Sequence, residues 1–366
     1  MKIGVNLTHL TSLNSGAKTY FINLYQSLLK FDYKNKYYFF LPKNINSKEL
    51  NFLRKKNTYL IHTKLPQQLN PGRLSFLRFI KIYFYFKNYF KNNRLDIFIH
   101  TSLPLIRNPY GKTISNIFDI RYLYKNYESN FLKRLIYKFI LKYCLNYSDY
   151  LLTISKFIKK EISNKFVVED KKLKVFYCSI ENQKKIKKSK NKFLLSVGHF
   201  EKRKNYLNLV KSFNILKKKY NYSGKLIIIS NNFTKNNAVI KYLKNNQIEK
   251  YVLIKTNTTN DQLRYYYANT DLFIFPSIYE GFGFPILEAL MQNSKVLTSN
   301  ISVFKEILGS KFVYFNPLSP NDISKKIYLC INTKKLLFNK KNNQFILNKF
   351  SSKKISNDYL KFLNKI

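Results

Sequence analysis

Short apolar runs alternate along the chain with longer segments whose apolar residues recur every three or four positions. The first runs read KIGVNL, YYFFL, DIFIH, TISNIF, DYLLTIS and LKVFYC, and their lengths are those of buried strands. Between the first two, the segment AKTYFINLYQSLLK places one helical face together, consisting of Tyr20, Leu24, Ser27 and Leu28. This alternation predicts strands connected by helices, which is the arrangement of an open parallel sheet.

The pattern stops and restarts near the middle of the chain. Residues 181–192, ENQKKIKKSKNK, have no periodicity and few apolar positions. Beyond them FLLSVG, GKLIIIS, YVLIK, DLFIFP, KVLTS and FVYF again predict strands separated by helices. We therefore predict an α/β chain of two doubly wound Rossmann-like domains, 1–182 and 193–348, joined by a linker at 183–192 and followed by a C-terminal helix at 349–366. Such domains are expected to have a ligand cleft between the carboxyl edges of their sheets.

Composition narrows the class of protein. The chain has 366 residues, 45% of them apolar, so it can bury substantial cores despite a formal charge of +47, and we do not expect disorder. The N-terminus turns polar after Leu7 and lacks the apolar region of a signal peptide. No apolar stretch reaches the roughly 18 residues of a spanning helix. We predict a cytoplasmic location, which includes the inner face of the cytoplasmic membrane.

Metal and disulfide chemistry have little support in the sequence. The three cysteines are far apart and form no CxxC pair, which fits a reducing compartment. No Asp-x-Asp pair of the metal-dependent type is present. The histidines are too scattered to predict a metal site, and we interpret each as a surface or strand-edge residue: His9, His62, His100 and His199.

One stretch, PSIYEGFGFPILEAL, concentrates residue types that are rare elsewhere. The chain has 19 acidic residues and 9 glycines, yet Glu280, Gly281, Gly283 and Glu288 all lie within these 15 positions. A strand precedes the stretch, and a helix that begins at Pro285 would hold Glu288 in its first turn. Glu280 would then lie in a loop at the carboxyl edge of the sheet, where glycines allow close backbone approach to a ligand. The less favoured interpretation is a helix-dipole role for Glu288 and a solvated Glu280.

These residues carry a family resemblance. FPSIYEGFGFPILEAL resembles the E-x7-E signature of retaining glycosyltransferases of the GT-B fold, family four, known as glycosyl transferases group 1. SVGHFEKRKNYLNLVKSF resembles the phosphate-gripping loop of that family, LLTISKFIKKEI its strand-Ser-helix element, and SGAKTYFINLYQSL its N-terminal glycine loop. SNISVFKEILGSKFVYFNPLSP resembles the segment after the signature. Ordered matches over nearly the whole chain make the resemblance specific.

The resemblance implies roles for both carboxylates of the signature. Glu280 would face the donor sugar, and Glu288 would accept hydrogen bonds from the ribose hydroxyls of the nucleotide. A carboxylate suits both roles because it has two acceptor oxygens and its charge stabilises an oxocarbenium-like sugar. Phe282 and Gly283 would place backbone N–H groups near the sugar.

The resemblance also implies a basic site for the donor diphosphate. Arg203 and Lys204 resemble the pair that holds this group, whose negative charge grows as the glycosidic bond breaks. We therefore expect no metal ion or cofactor. A basic dipeptide is common among 66 Lys and Arg, but this one follows a strand that ends at Gly198. Gly16, after the first strand, is either a turn glycine or a point of close approach to donor phosphate or acceptor.

One position departs from the family pattern. The family commonly has His-Asp after the strand that is represented here by TISNIF, whereas this chain has Phe118 and Asp119. We assign Asp119, with Glu280, to the catalytic residues because it could orient the acceptor or the sugar. Phe118 cannot hydrogen-bond a sugar, which predicts a less polar donor such as a 6-deoxy sugar; the alternative is a core phenylalanine. Ser155 is expected to cap a helix rather than to contact phosphate.

The charge of the chain suggests a second class of function. Residues 73–94, RLSFLRFIKIYFYFKNYFKNNR, interleave basic and aromatic residues. In order of preference, we interpret them as an ordinary helix between strands, as a basic amphipathic helix on an anionic membrane surface, or as a nucleic-acid-binding segment. A lipid-linked acceptor would bring the protein to a membrane.

The sequence therefore predicts a retaining glycosyltransferase that moves a sugar from a nucleotide-sugar donor to a glycan or lipid-linked glycan acceptor. The family resemblance alone implies surface polysaccharide or lipopolysaccharide biosynthesis as the setting. The alternative is a basic nucleic-acid-binding protein on the same scaffold, without transferase activity.

Overall fold

The structure, a computed structural model, divides the chain into two compact units. Unit 1 comprises residues 1–181 and 350–366, and unit 2 comprises residues 182–349. The structure describes residues 1–9, 16–43, 45, 47–65, 76–101, 103, 106–127, 130–181, 185–186, 192–231, 233, 237–333 and 340–366. Most of the predicted linker, and the first three residues of the basic segment 73–94, lie outside the described residues.

Unit 1 is built on a parallel sheet of seven strands in the order β3-β2-β1-β4-β5-β6-β7. Its strands are β1 (Lys2–Asn6), β2 (Lys36–Leu41), β3 (Thr58–His62), β4 (Ile97–His100), β5 (Lys112–Ile117), β6 (Tyr150–Thr153) and β7 (Leu173–Val175). Its α-helices are α1 (Gly16–Leu28), α2 (Phe76–Asn92), α3 (Phe131–Tyr147), α4 (Lys156–Lys165) and α12 (Ser352–Lys365), with 3-10 helices at Ser47–Leu53 and Arg121–Leu123.

Unit 2 is built on a parallel sheet of six strands in the order β10-β9-β8-β11-β12-β13. Its strands are β8 (Phe193–Val197), β9 (Lys225–Ile229), β10 (Val252–Lys255), β11 (Leu272–Phe275), β12 (Val296–Ser299) and β13 (Tyr314–Phe315). Its α-helices are α5 (Tyr206–Tyr220), α6 (Ala238–Asn245), α7 (Asn260–Asn269), α8 (Phe284–Met291), α9 (Ser302–Leu308), α10 (Pro320–Asn332) and α11 (Lys340–Lys349), with 3-10 helices at Lys202–Lys204 and Glu249–Tyr251.

Both sheets are doubly wound. The strand order reverses between β1 and β4 in unit 1 and between β8 and β11 in unit 2. Ligands of such sheets bind outside the carboxyl ends of the strands at the point of reversal. The predicted α/β class with two Rossmann-like domains is confirmed.

The central strands of unit 2 are buried along their whole length, as the continuous apolar runs of the sequence predict. Every residue of β8, β11 and β12 is buried. A parallel sheet covered by helices on both faces requires such runs because neither face meets water. The strands therefore form a rigid base for the loops at their carboxyl ends.

The described part of the basic segment packs on the sheet of unit 1. In α2, Ile82, Phe86 and Phe90 are buried, and Phe86 lies edge-on against Phe40 with the ring centroids 5.0 Å apart. The predicted helix between strands is therefore present, and its apolar face is part of the core. Phe84, by contrast, points outward and is 60% exposed.

The ends of unit 1 show how far the apolar pattern predicts the fold. The predicted face of α1 is buried, and Ser27 Oγ lies 2.9 Å from Ser356 Oγ of the C-terminal helix α12. That helix is therefore part of unit 1. Strand β3 is absent from the prediction because, as an edge strand with no fully buried position, it has no continuous apolar run.

Candidate functional site

Two loops of unit 2 meet at the point where its strand order reverses. The loop after β8 leads through Gly198 into the 3-10 helix Lys202–Lys204, and the loop after β11 leads to Glu280. Because β8 and β11 are hydrogen-bonded neighbours, both loops leave the same edge of the sheet. The basic pair and the first signature carboxylate are thus brought together although they are far apart in sequence.

Glu280 forms ion pairs with both basic residues. Its Oε2 accepts a hydrogen bond of 2.5 Å from a terminal nitrogen of Arg203, and its Oε1 accepts one of 2.5 Å from Nζ of Lys204. All three residues are buried, with 8%, 9% and 6% exposure for Glu280, Arg203 and Lys204. Arg203 also pairs with the partly exposed Glu201, so four charged groups hold two cations in fixed positions, where an anionic ligand could bind them.

The electrostatics of the cluster keep Glu280 ionised. Burial raises the pKa of Glu280, but the charges of Arg203 and Lys204 outweigh this effect and lower the pKa to about 2. For Lys204, burial lowers the pKa while the charge of Glu280 opposes that change. The Lys204 ammonium also lies 4.8 Å from the centroid of the Phe275 ring, which stabilises a cation.

Hydrogen bonds connect the two loops and fix their positions relative to each other. The carbonyl of Arg203 accepts a hydrogen bond of 2.8 Å from the N–H of Ile278. Asn205, in the left-handed region with φ 59°, donates from Nδ2 to the carbonyls of Pro276 at 3.1 Å and Pro317 at 2.7 Å. Nε of Arg203 donates to Glu201 at 2.6 Å. The basic pair is therefore fixed in place before any ligand binds.

Gly198 is required where the backbone passes the cluster. Its φ of +155° lies at the edge of the region that side chains avoid, and a Cβ atom would lie 3.1 Å from Oη of Tyr206 and 3.2 Å from Cε of Lys204. Since Tyr206 donates to the Gly198 carbonyl at 3.1 Å, neither neighbour can move without cost. The absence of a side chain here allows Lys204 to reach Glu280.

Glu288 has a different environment from Glu280. Helix α8 begins at Phe284, so Glu288 is its fifth residue and lies in the second turn; the prediction that Glu288 lies in the first turn is wrong, because the helix starts before the proline. Oε2 of Glu288 accepts a hydrogen bond of 2.9 Å from the hydroxyl of buried Tyr267. Burial raises the pKa of Glu288 and the Tyr267 hydrogen bond opposes that change. Sequence reasoning missed Tyr267, since no motif marks it.

Phe282 and Gly283 lie between the two carboxylates. Phe282 is buried with 3% exposure, and its ring contacts that of Phe284 at 5.9 Å between centroids. Gly283 precedes α8 and provides no side-chain cap. A Cβ atom there would lie 3.0 Å from Cδ1 of Ile286, so this position has little room for a side chain. At the start of α8, Pro285 has no N–H, and the N–H of Ile286 donates to the carbonyl of Gly283 at 3.0 Å.

The remaining predicted site residues lie in unit 1. Gly16 is exposed and is the first residue of α1. The carboxylate of Asp119 accepts a hydrogen bond of 3.1 Å from the N–H of Arg121 and lies 3.7 Å from the guanidinium of that residue. Phe118 packs edge-on against Tyr20 and Phe21, at 5.4 and 5.6 Å between ring centroids. The aromatic contacts of Phe118 are those of a residue that packs against the core.

Two further predictions concern unit 1. Ser155 is the N-cap of α4 and accepts a hydrogen bond of 3.2 Å from the N–H of Ile158, so the capping interpretation is confirmed. His100 is not a surface residue: it is 1% exposed, its Nε2 lies 3.0 Å from the carbonyl of Ile106, and burial lowers its pKa to about 3. The surface part of the prediction is wrong because β4 is a central strand, flanked by β1 and β5; the strand-edge alternative fits His100 as the last residue of β4.

Neither a candidate metal centre nor a membrane-spanning helix is present among the described residues. No group of three or more His, Cys, Asp or Glu side chains in the described part of the chain could hold a metal ion. No helix in the same residues is long and apolar enough to cross a membrane.

Comparison with known sequences places the second half of the chain in a family. Residues 179–349 match the family model for Glycosyl transferases group 1. The chain is 30% identical over 189 residues to the O-antigen chain mannosyltransferase RfbU of Salmonella typhimurium, covering 51% of this chain and 52% of that protein. It is 27% identical over 187 residues to the N-acetylgalactosamine-N,N'-diacetylbacillosaminyl-diphospho-undecaprenol 4-alpha-N-acetylgalactosaminyltransferase of Campylobacter jejuni, covering 49% of each. The chain thus spans about half the length of these relatives.

Solved structures share the fold over the full chain. Sucrose-phosphate synthase from Thermosynechococcus elongatus superposes with a TM-score of 0.79 at 14% identity, covering 100% of this chain and 98% of that one. The lipopolysaccharide outer core galactosyltransferase WaaB superposes with a TM-score of 0.69 at 17% identity, covering 100% of both chains. Anabaena HepE, solved with UDP and glucose, gives 0.73 at 12% identity and covers 100% of both chains. At such identities the likeness establishes the fold alone.

Fold and site together define a GT-B chain with two Rossmann-like domains. Within that class, residues 179–349 match the model of the glycosyl transferases group 1 family, which confirms the resemblance to that family over this segment.

Proposed function

We propose that the chain is a retaining glycosyltransferase that transfers a sugar from a nucleoside-diphosphate donor to a glycan or lipid-linked glycan acceptor. One observation supports this most directly: two buried cations, Arg203 and Lys204, are held by Glu280 at the strand reversal of a sheet within the family segment. The names of the curated relatives support O-antigen or lipopolysaccharide biosynthesis as the setting. The nucleic-acid-binding alternative is not favoured, because the family match accounts for the cluster.

In this proposal Arg203 and Lys204 bind the donor diphosphate. The bond between the sugar C1 and the phosphate oxygen breaks, and its electron pair leaves with the diphosphate. Fixed cations lower the energy of that charge development, and cations that need no rearrangement lower it most. The loop hydrogen bonds that hold Arg203 in place support this role.

Glu280 has two roles in the proposal. It holds Arg203 and Lys204 in position, and its negative charge lies beside the sugar as C1 becomes positive. The low pKa supports the second role, because the carboxylate stays ionised at neutral pH. The proton of the acceptor hydroxyl passes to an oxygen of the leaving phosphate, so that attack occurs on the face the diphosphate leaves and configuration is retained.

Glu288 binds the ribose hydroxyls in the proposal. The hydroxyl of Tyr267 donates a hydrogen bond to Oε2 of Glu288, which fixes the orientation of the carboxylate. The other carboxylate oxygen then accepts from the nucleotide. The N–H groups at Phe282 and Gly283 would add donors to the sugar. Asp119 and Gly16 keep their proposed roles toward the acceptor or the donor phosphate.

Two observations suggest different donor sugars. Several curated relatives are named mannosyltransferases, which makes a nucleoside-diphosphate mannose the first donor to test. Phe118 in place of a histidine predicts a 6-deoxy sugar instead. A direct comparison of mannose donors with rhamnose and fucose donors decides between them: faster turnover of mannose would show that the 6-deoxy hypothesis is wrong.

The acceptor and the metal requirement are also part of the proposal. The name of the Campylobacter relative includes a diphospho-undecaprenol-linked sugar, so lipid-linked glycans should be tested beside free ones. We propose that no metal is required, because the basic pair supplies the cationic charge at the diphosphate. Activity that persists in EDTA and does not rise with Mg²⁺ or Mn²⁺ would support this. A cytoplasmic location stays a prediction.

The transferase test measures sugar transfer and its stereochemistry. The full chain is incubated with UDP-, GDP- and dTDP-linked sugars and an acceptor panel, and the anomeric configuration of the product is read by NMR. Glu288→Ala is the test variant and Glu249→Ala, an exposed glutamate of the same unit, is the control. We expect a product with the donor's configuration that is lost in Glu288→Ala and kept in Glu249→Ala. A product of inverted configuration would overturn the retaining mechanism.

A further inference from the structure

Helix α3 of unit 1 has a second apolar face that is turned to solvent. Five of its large apolar side chains are exposed, with Phe131 at 65%, Leu132 at 64% and Phe139 at 71%. Leu135 and Ile136 complete the set at 46% and 36%. We call these five residues the α3 apolar patch. Clustered exposure of this kind marks an interaction surface, whereas single exposed apolar residues do not.

The geometry of α3 separates the patch from the core. Tyr137, Ile140, Leu141, Cys144 and Leu145 are buried on the face that packs on unit 1. Phe131, Leu135 and Phe139 recur every four positions, as do Leu132 and Ile136, so the five residues share the opposite face of the helix. The helix therefore has more apolar surface than the unit can bury. Its 17 residues span about 25 Å, enough to lie along a surface.

Basic residues border the patch. Lys138 and Lys142 are exposed and stand one turn apart at one edge of the patch, and Lys133 and Arg134 lie in the first turn. The helix contains no acidic residue, and the whole chain has a formal charge of +47. An apolar face bordered by cations is complementary to a surface that has anionic headgroups above an apolar interior.

We propose that the α3 apolar patch docks unit 1 on a bilayer that contains anionic lipids. The aromatic and aliphatic side chains enter the boundary between headgroups and acyl chains, while Lys138 and Lys142 remain at the level of the headgroups. The basic segment at α2 is not this surface, because its phenylalanines at 86 and 90 are in the core. The proposal concerns lipid binding and does not depend on the transferase activity.

Vesicle co-sedimentation of the full chain tests the proposal. Wild-type protein is mixed at low salt with vesicles of phosphatidylcholine alone and with vesicles that contain phosphatidylglycerol. The test variant is Phe131→Ser/Phe139→Ser, and the matched control is Phe84→Ser/Phe345→Ser, which removes two phenylalanines that are 60% and 73% exposed elsewhere. Because all four rings are exposed, each variant should fold, and circular dichroism verifies this.

We expect at least tenfold stronger binding to the anionic vesicles, a decrease of fivefold or more in the test variant and no change in the control. Lys138→Glu/Lys142→Glu should weaken binding to anionic vesicles and leave binding to neutral ones unaltered. Equal binding to both vesicle types would overturn the proposal. Equal losses of vesicle binding in the test and control variants would also overturn it. A dimer seen by light scattering that the test variant abolishes, with vesicle binding unchanged, would overturn it as well, because the patch would then bind a second copy of the chain.

Discussion

Nζ of Lys204 lies 2.5 Å from Oε1 of Glu280, although 76 residues separate the two in sequence. Arg203 binds the other carboxylate oxygen at the same distance. The signature carboxylate and the basic dipeptide are therefore one structural unit, created by the adjacency of β8 and β11. In the absence of donor, Glu280 supplies the negative charge that the two cations require.

Removal of this charge should destabilise unit 2. In Glu280→Gln the buried Lys204 loses the carboxylate it pairs with and Arg203 keeps only Glu201, which should cost about 3 kcal/mol of unfolding free energy. Glu201→Gln removes a more exposed partner of Arg203, with 35% side-chain exposure, and should cost no more than about 1 kcal/mol. Urea denaturation measures both. Similar losses of unfolding free energy in the two variants would show that the ion pairs of Glu280 stabilise unit 2 no more than the ion pair of Glu201 does.

The same pairs predict how stability depends on pH. The pKa of Glu280 is about 2, compared with its usual 4.5, so the folded protein binds fewer protons than the unfolded chain between these values. The contribution of Glu280 is therefore fully present above pH 4.5 and is lost as the pH falls toward 2. We expect the stability difference between wild type and Glu280→Gln to narrow by about 1.4 kcal/mol between pH 6 and pH 3.5, which is one unit below the usual pKa. Urea curves at pH 6, 4.5 and 3.5 measure the trend, and a constant difference would contradict it.

Tyr267 should orient Glu288 toward the nucleotide. Tyr267→Phe removes the hydroxyl that donates to Glu288 at 2.9 Å but keeps the buried ring. If Glu288 binds ribose, donor KM should rise severalfold while kcat changes little, because the lost interaction is the same in the ground and transition states. Tyr266→Phe, next to it on α7, is the control. A fall in kcat with unchanged KM would contradict this role.

Gly198 should be needed for the position of Lys204. In Gly198→Ala the new Cβ would lie 3.2 Å from Cε of Lys204, so the side chain must shift away from Glu280. Gly309→Ala is a matched control for backbone strain, since Gly309 has φ +76° and no heavy atom within 4 Å of a Cβ. Both variants should lose stability, but only Gly198→Ala should lose donor affinity in calorimetry. Equal donor affinity in the two variants would show that Gly198 is not needed to position Lys204 for the donor.

Local patterns predicted most of the fold because most central strands are short and mainly apolar segments. The strands of unit 2 needed no tertiary information, and the face of α1 followed from its spacing. Edge strand β3 could not be found this way, because half-exposed positions leave no run to detect. The burial of His100 depended on the strand order, which the sequence does not reveal.

The candidate site was predictable only in part. Motif resemblance located Glu280, Glu288, Arg203 and Lys204, but the ion pairs between them depend on how two loops meet. Tyr267 had no signal, since one tyrosine among 30 is not conspicuous. Basic and apolar residues alternate in α3 much as they do in α2. Only the burial of the side chains shows that α3 has an exposed apolar face whereas the apolar face of α2 is in the core.

Isothermal titration calorimetry of UDP, GDP and dTDP with the full chain tests the central claim most directly. We expect one of these nucleotides to bind the wild-type chain. Glu288→Ala should weaken the binding of that nucleotide at least tenfold, and Glu249→Ala should leave its binding unchanged. Binding of none of them, together with tight and strongly salt-dependent binding of RNA or DNA, would contradict the account and assign the function to the charge of the chain.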